Sequence, residues 1–206
     1  MTKNLGYHVP ALSRGLQIIE MFDKENRVLN TQDFADHLDL VDIAGPHLNE
    51  LRDNTSISCH LGIRDGLETV YIYRSQATQR LSVNIPLGSR LPCHTNAMGR
   101  VLLQQLSEIE LNAIYQTLQM DLYPGPHPQS LPELKLLLRK EWEQGYSSNR
   151  SDNATAIAVP ITNYLGKTIA AINISGADQI MHNQDQFEAA KKMLLETAKT
   201  ISQITP

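Results

Sequence analysis

The sequence predicts an α+β fold in which helices flank a mostly antiparallel sheet. Three observations indicate this class. Apolar residues recur at helical spacing towards both ends of the chain, β-branched and aromatic runs flank the turn at Asp65 and Gly66, and two further strand-like runs flank residues 163–166. Strands joined by such short turns pair antiparallel, and the helical segments supply layers that cover the sheet.

The N-terminal part predicts two short amphipathic helices. Residues 10–23 follow Pro10, which suits a first helical turn, and carry apolar side chains at steps of three and four. Residues 30–38 repeat this pattern behind a possible cap at Asn30 or Thr31. Two helices of this length cannot bury enough surface to be stable by themselves.

The next segments predict a third helix and three strands. Residues 41–54 place their apolar side chains on one helical face, and we expect Pro46 either to bend this helix or to mark its true start. A β-hairpin follows, with strands over residues 57–63 and 69–74. Residues 80–85 predict another strand.

The second half predicts helices before strands. A helix over residues 96–105 is followed by helices that begin at Ser107 and Ser130, because each serine precedes a glutamate by three residues, as in a capping box. Gly145 is placed to end the last of these helices. The remaining segments predict a loop, three strands and a C-terminal helix, over residues 123–128, 146–149, 155–162, 167–175 and 185–204.

Composition excludes several classes of protein. The 206 residues are 41% hydrophobic and 19% charged, and the formal net charge is −4, so contact with nucleic acid would need a local basic patch. No apolar run is long enough for a membrane helix and the polar start lacks the core of a signal peptide, so we expect a cytoplasmic protein without a membrane partner.

Residues that could carry catalysis or hold a metal do not form a known motif. Cys59 and Cys93 are each followed by a histidine, but neighbours along a strand point to opposite faces, so neither doublet converges on one ion. Cys59 with His94, or Cys93 with His60, could still meet across strands. Since phosphate-binding and dinucleotide-binding motifs are also missing, we expect no enzyme activity, no cofactor and no metal site.

The most informative stretch covers residues 86–103, which pass from a loop fixed by prolines and Gly88 into a helix. Small residues form the first turn of that helix, Thr95 or Asn96 can cap it, and its free N–H groups favour an anionic or polar guest. This stretch resembles the effector-binding domain of IclR-type transcriptional regulators. The resemblance extends in the family's order over residues 40–51, 71–74, 156–161 and 171–176.

The resemblance implies two domains. Residues 40–206 would form a GAF-like effector-binding domain, and residues 1–39 the remnant of a winged helix-turn-helix DNA-binding domain, in which Arg14 matches a basic residue of the family. The family's recognition helix, β-wing and most of its linker helix have no counterpart. Either the chain carries a deletion or residues are missing from the sequence, and an intact mass of 23.1 kDa would exclude the second explanation.

The resemblance also implies which residues line an effector pocket. Apolar walls would come from Val83 and Leu91, backbone N–H groups from Ala97 and Met98, and polar side chains from Asn149, Asn173 and Ser175. Asn173 and Ser175 share one strand face, although Ser175 could instead cap a turn at the end of its strand. Residues 150–155 are shorter than the family's loop at this point and lack its glycine, and Arg150 could pair with a carboxylate ligand.

The expected function is therefore that of an IclR-like transcriptional regulator. A small metabolite, an organic acid or sugar acid, would bind in the C-terminal domain and control how a homodimer or tetramer engages a double-stranded DNA operator. The alternative is a stand-alone GAF-like metabolite sensor that does not bind DNA.

Overall fold

Six strands form one antiparallel sheet in the computed structural model, which describes residues 31–78, 85–116, 118–123, 125–151 and 153–205. Their order across the sheet is β3-β2-β1-β6-β5-β4. The bounds are β1 Ser58–Asp65, β2 Glu68–Ser75, β3 Arg90–Pro92, β4 Ser147–Ser151, β5 Ala154–Thr162 and β6 Thr168–Ala177. The predicted α+β class and antiparallel sheet are confirmed.

Six α-helices accompany the sheet in the described part of the chain. They are α1 Thr31–Thr55, α2 Ala97–Leu103, α3 Glu108–Tyr115, α4 Leu131–Gln144, α5 Asp178–Met181 and α6 Gln184–Ile204. Single 3-10 turns at Cys93–Thr95 and Met120–Leu122 precede α2 and α4. The predicted C-terminal helix is confirmed, whereas the short α5 was not predicted.

The sheet has two unlike faces because successive strand residues point to opposite sides. On β6, Ile172 and Ile174 face α1 and α6 and belong to the largest apolar core, together with Leu48 and Leu194. The alternate residues of β6 face α2 and a cavity. One face is therefore packed, and the other is partly hollow.

The two helical segments predicted at residues 30–38 and 41–54 form one helix, α1. Pro46 lies inside α1, so the expectation that it could mark the start is wrong; a proline removes one backbone hydrogen bond, and the packing of α1 on the sheet outweighs that loss. The predicted domain boundary after residue 39 falls within α1, and the division into domains stays a prediction. The predicted helix at residues 10–23, with Arg14, lies outside the described residues.

The predicted hairpin of β1 and β2 is confirmed, with Gly66 at a φ of +58° in its turn. Of the strand predicted at residues 80–85, residues 80–84 lie outside the described part of the chain, and Ile85 is not in a strand. On its other edge, β2 pairs with β3. The sequence pattern does not indicate β3, because three residues ending in a proline are too few to show an alternation of polar and apolar side chains.

One predicted capping box is confirmed and the other is wrong. The hydroxyl of Ser107 accepts the Glu110 N–H at 3.3 Å, and Glu110 Oε2 accepts the Ser107 N–H at 2.8 Å. Ser130 makes no such bond to the start of α4, because the Glu133 carboxylate instead accepts the N–H of Gln129, one residue earlier. Gly145 ends α4 in the left-handed conformation, as predicted.

Candidate functional site

A cavity of about 830 Å³ lies on the second face of the sheet. Its polar wall comes from the start of α2, from the β4–β5 hairpin and from β6, through Thr95, Asn96, Asn149, Arg150, Asn173 and Ser175. Its apolar wall includes Tyr71, Ile85, Leu91, Ala97 and Ala156. Segments that are distant in the sequence therefore converge on one hollow.

Five of the seven predicted pocket residues line this cavity, namely Leu91, Ala97, Asn149, Asn173 and Ser175. Met98 is not among the lining residues, because its side chain is fully buried against Gly62 of β1. The contact is close: a β-carbon added to Gly62 would lie 3.1 Å from Met98 Cε. Val83 lies outside the described residues. The ligand-binding role of all seven stays a prediction.

The start of α2 is held in place by Asn96. Its Oδ1 accepts the Gly99 N–H at 2.8 Å, and its Nδ2 donates to the Pro92 carbonyl at 2.9 Å. Gly99 is required at this contact, because a β-carbon there would lie 2.4 Å from the Cα of Cys93. Of the two predicted caps, Asn96 is the one that is used, and Ala97, the first residue of α2, lies at the cavity wall.

His60 stands beside the cavity wall and was missed as a pocket residue. It is fully buried, its Nδ1 lies 2.8 Å from Oδ1 of Asn173, and its ring meets the Tyr71 ring edge-on. Burial lowers the pKa of His60 to about 4, helped by Arg74 and opposed by the bond to Asn173, so the ring is neutral at pH 7. The sequence pattern indicates His60 only as a candidate for catalysis or metal binding, with Cys59 or Cys93.

A buried ion pair fixes the strand that carries Asn149. Arg100 of α2 and Glu141 of α4 are each 2% exposed and meet through contacts of 2.9–3.1 Å. The carboxylate also accepts the Ser147 hydroxyl at 2.9 Å, and the guanidinium donates to the Ser148 carbonyl at 2.5 Å. No local motif predicts this network, because its partners lie 41 or more residues from Arg100.

A second, more exposed ion pair forms the rim. Arg150 Nε donates to Asp178 Oδ2 at 2.8 Å, and the Thr155 hydroxyl donates to Oδ1 at 2.7 Å. These bonds, that of Thr155 first, keep the pKa of Asp178 below its usual value. Asn153, with a φ of +67°, adopts the left-handed conformation that glycine often supplies, so this short hairpin forms without a glycine.

A cluster of rings supports the loop on the other side of the cavity. His94 is fully buried and meets Tyr115, Tyr123 and His127 edge-on, at centroid distances of 5.2–5.8 Å. Burial, with His127 and Arg100 as lesser causes, lowers the pKa of His94 to about 4. His94 lies in a 3-10 turn and not on a strand, so the opposite-face argument does not apply to the Cys93–His94 doublet.

The described residues offer little for nucleophilic or metal chemistry. Among them, no three His, Cys, Asp or Glu side chains cluster as metal ligands would. Burial raises the pKa of Cys59 to about 12 and that of Cys93 to about 11, so both thiols stay protonated and unreactive at neutral pH. None of the helices in this part of the chain has the length and apolar character needed to cross a membrane.

A concave cavity with a few polar groups that converge from separate segments is typical of a small-molecule binding site. Residues 32–203 match the family described as bacterial transcriptional regulator IclR, C-terminal. The chain belongs to this family, and the resemblance noted in the sequence is confirmed.

Similar proteins agree with this assignment. The HTH-type transcriptional repressor AllR of Salmonella typhi is 31% identical over 167 residues, and the HTH-type transcriptional regulator XynR of Escherichia coli K12 is 35% identical over 131 residues. The matches cover 80% and 62% of this chain but only 61% and 52% of those relatives. The chain therefore spans about three fifths of the length of the repressor.

A solved structure shows the same fold with a ligand. The inducer-binding domain of the PobR transcription factor from Acinetobacter, a double mutant in complex with 3-hydroxybenzoic acid, superposes with a TM-score of 0.70 at 25% identity. The match covers 78% of this chain and 96% of that domain.

Proposed function

We propose that this chain is the effector-sensing part of an IclR-type regulator, and that its cavity binds a small organic acid or sugar acid. Effector binding would shift the population of conformations in which the protein engages a double-stranded DNA operator. The chain itself has no catalytic role in this proposal and needs no cofactor.

The composition of the cavity wall carries the proposal. Amide and hydroxyl side chains line the hollow together with Arg150, whose guanidinium is paired with Asp178, and none of the described lining residues is an aspartate or glutamate. An anion would therefore meet hydrogen-bond donors without repulsion from a carboxylate in the wall. The related PobR domain holds a hydroxybenzoic acid, which is a ligand of this chemical class.

The DNA-binding side of the proposal rests on the family and on α1. The curated relatives are named as HTH-type regulators, and we propose that residues 1–39 belong to such a domain, with Arg14 on a phosphate. Helix α1 runs from this segment onto the packed face, where Leu48 and Leu51 are buried, so a movement of the sheet can reach the N-terminal segment. A homodimer or tetramer in the cytoplasm would bring two such segments to one operator.

A ligand panel tests the sensor proposal. We would measure thermal unfolding and calorimetric binding with 3-hydroxybenzoate and D-gluconate, using neutral 3-hydroxybenzamide and cationic 3-hydroxybenzylamine for comparison. At least one acid should stabilise the protein, and Asn149→Ala should weaken its binding about tenfold or more, because a hydrogen bond to a charged group is lost. Ser148→Ala, an exposed neighbour on β4, is the matched control.

Two outcomes would contradict the sensor proposal. One is that only the neutral or cationic compounds stabilise the protein. The other is that Asn149→Ala and Ser148→Ala affect the affinity for the acid equally.

A gel shift of the intact protein with operator-containing DNA tests the second half of the proposal. Binding should weaken as salt rises, because phosphate contacts release counterions. The expected result also includes a change of affinity when the acid is added. A protein that binds the acid but no DNA at low salt would be a stand-alone sensor.

A further inference from the structure

We propose that His60 fixes the orientation of the Asn173 carboxamide, so that the amide nitrogen faces the cavity and selects effectors that place a hydrogen-bond acceptor there. This inference rests on the function proposed above, namely that the cavity binds a small acid. His60 is a positioning residue in this account, because it acts on the ligand through Asn173.

The register of the sheet places the two residues together. His60 of β1 lies directly opposite Asn173 of β6, and its Nδ1 is 2.8 Å from Oδ1. An amide oxygen only accepts hydrogen bonds, so the hydrogen of this bond must reside on Nδ1. The ring is therefore the Nδ1–H tautomer, and the amide oxygen of Asn173 accepts its hydrogen bond from His60 rather than from a ligand.

The described part of the wall gives the amide nitrogen no protein partner. On the other side of β6, the residue opposite Asn173 is Ala158, which is apolar. Asn173 lines the cavity, and within the described part of the chain its only side-chain hydrogen bond is the one to His60. Its two N–H donors are thus left to whatever occupies the hollow.

The histidine is well suited to hold this orientation. It is fully buried, its ring is held edge-on against Tyr71, and its Nε2 has no hydrogen-bond partner within the described part of the chain. Its low pKa keeps the ring neutral in the physiological range, so only one of its two nitrogens carries a hydrogen. Turning the carboxamide over would put two N–H donors against the Nδ1–H and leave the amide oxygen facing the cavity.

The consequence is a rule about effectors. A carboxylate or carbonyl oxygen at this point accepts from Asn173, whereas an N–H group of the ligand there meets another donor. Leaving such a pair unsatisfied in a buried site costs about 1–3 kcal/mol, which corresponds to roughly 5-fold to 150-fold in affinity.

Nuclear magnetic resonance tests the tautomer without any ligand. In a long-range ¹H–¹⁵N spectrum of the labelled chain at pH 7, the His60 signals, assigned by their loss in His60→Gln, should show a neutral ring protonated at Nδ1. A ring protonated at Nε2 would mean that Nδ1 accepts from the amide nitrogen, and it would overturn the proposal.

A matched pair of neutral probes tests the selection. 3-Hydroxyacetophenone presents a carbonyl acceptor and 3-aminophenol presents an N–H donor, and the measured quantity is the ratio of their dissociation constants. The wild-type protein should prefer the ketone about tenfold or more. His60→Phe should reduce this preference to near unity, since the carboxamide can then turn.

Controls separate this effect from a general loss of structure. The exposed Lys192→Phe on α6 should leave the ratio unchanged. Asn173→Asp, which presents only acceptors, should reverse the ratio, and this holds even if His60→Phe does not fold. A ratio that is the same in His60→Phe and wild type would overturn the proposal. If the wild type binds no acid and neither probe, the proposed function fails, and the tautomer measurement still decides the orientation of Asn173.

Discussion

On strand β6, Ile172 and Ile174 face two helices in a close-packed apolar core, whereas Asn173 and Ser175 face a cavity of about 830 Å³. A single step along the chain separates the two environments. The two faces of the sheet therefore have different roles. The packed face supplies hydrophobic stabilisation, and the hollow face exposes polar groups that need a partner.

The hollow face keeps its shape by other means. A cavity loses dispersion contacts, so its walls must be held by directional bonds. The Arg100–Glu141 pair ties α2 and α4 to β4, and the bond between His60 and Asn173 links two adjacent strands. Mutations on the two faces should therefore have different effects: on the packed face they change stability, and in the lining of the hollow face they change binding.

The largest effect is expected from breaking the buried ion pair. Glu141→Ala leaves the Arg100 guanidinium buried without its partner, which should lower the free energy of unfolding by about 3–5 kcal/mol in urea denaturation. Glu143→Ala, an exposed neighbour on α4, should change it by less than about 0.5 kcal/mol. Equal effects of the two substitutions would show that the hollow face does not depend on this pair.

Truncating a buried side chain of the packed face should lower the free energy of unfolding nearly as much and leave the cavity unchanged. Leu194 of α6 is fully buried, so Leu194→Ala should lower the free energy of unfolding by about 2–5 kcal/mol. The adjacent Leu195 is 41% exposed, and Leu195→Ala is the matched control. Calorimetric affinity for the acid should stay within about twofold in the folded Leu194→Ala protein, and a large loss would argue that the faces are coupled.

The same substitution on the two faces should give opposite results. Ala170→Leu overfills the packed core and should lower the free energy of unfolding by about 1–3 kcal/mol, with binding retained. Ala156→Leu projects into the cavity, so it should cost less than about 1 kcal/mol but abolish binding of the acid. Denaturation and calorimetry on both variants check this, and the comparison fails if Ala156→Leu binds like the wild type.

Per unit of pH, the smallest change in the free energy of unfolding comes from the two buried histidines. The pKa values of His60 and His94 are about 4 in the fold against an ordinary value of 6.5, so the unfolded chain takes up protons first as the pH falls. The free energy of unfolding should therefore fall between pH 6.5 and pH 4, by up to about 1.4 kcal/mol per pH unit for each histidine.

Urea denaturation across this pH range measures the effect. His60→Gln should reduce the slope by the share of one histidine, whereas His182→Gln, at an exposed position, serves as the control. An unchanged slope in His60→Gln would mean that this ring is already protonated in the fold or is accessible to water.

Much of the fold could be read from local patterns. The hairpin around Gly66, the capping box at Ser107 and the end of α4 at Gly145 follow from bonds within a few residues. The strand β3 could not be predicted in this way, because it depends on pairing with β2. The bond between the Glu133 carboxylate and the Gln129 N–H was also not predicted, because the local pattern specified Ser130 as the partner instead. Five predicted pocket residues line the cavity because a family resemblance carries tertiary information that spacing lacks.

The amino-acid sequence by itself determined most of the segments that become helices and strands, which strand residues share a face, and which family the chain resembles. These properties depend on periodicity and on turns, which are local. Only the tertiary structure decided that one face would be hollow, that Arg100 would find Glu141, and that His60 would stand opposite Asn173. Such pairings depend on strand order and register, which bring together residues 41 and 113 positions apart in the chain.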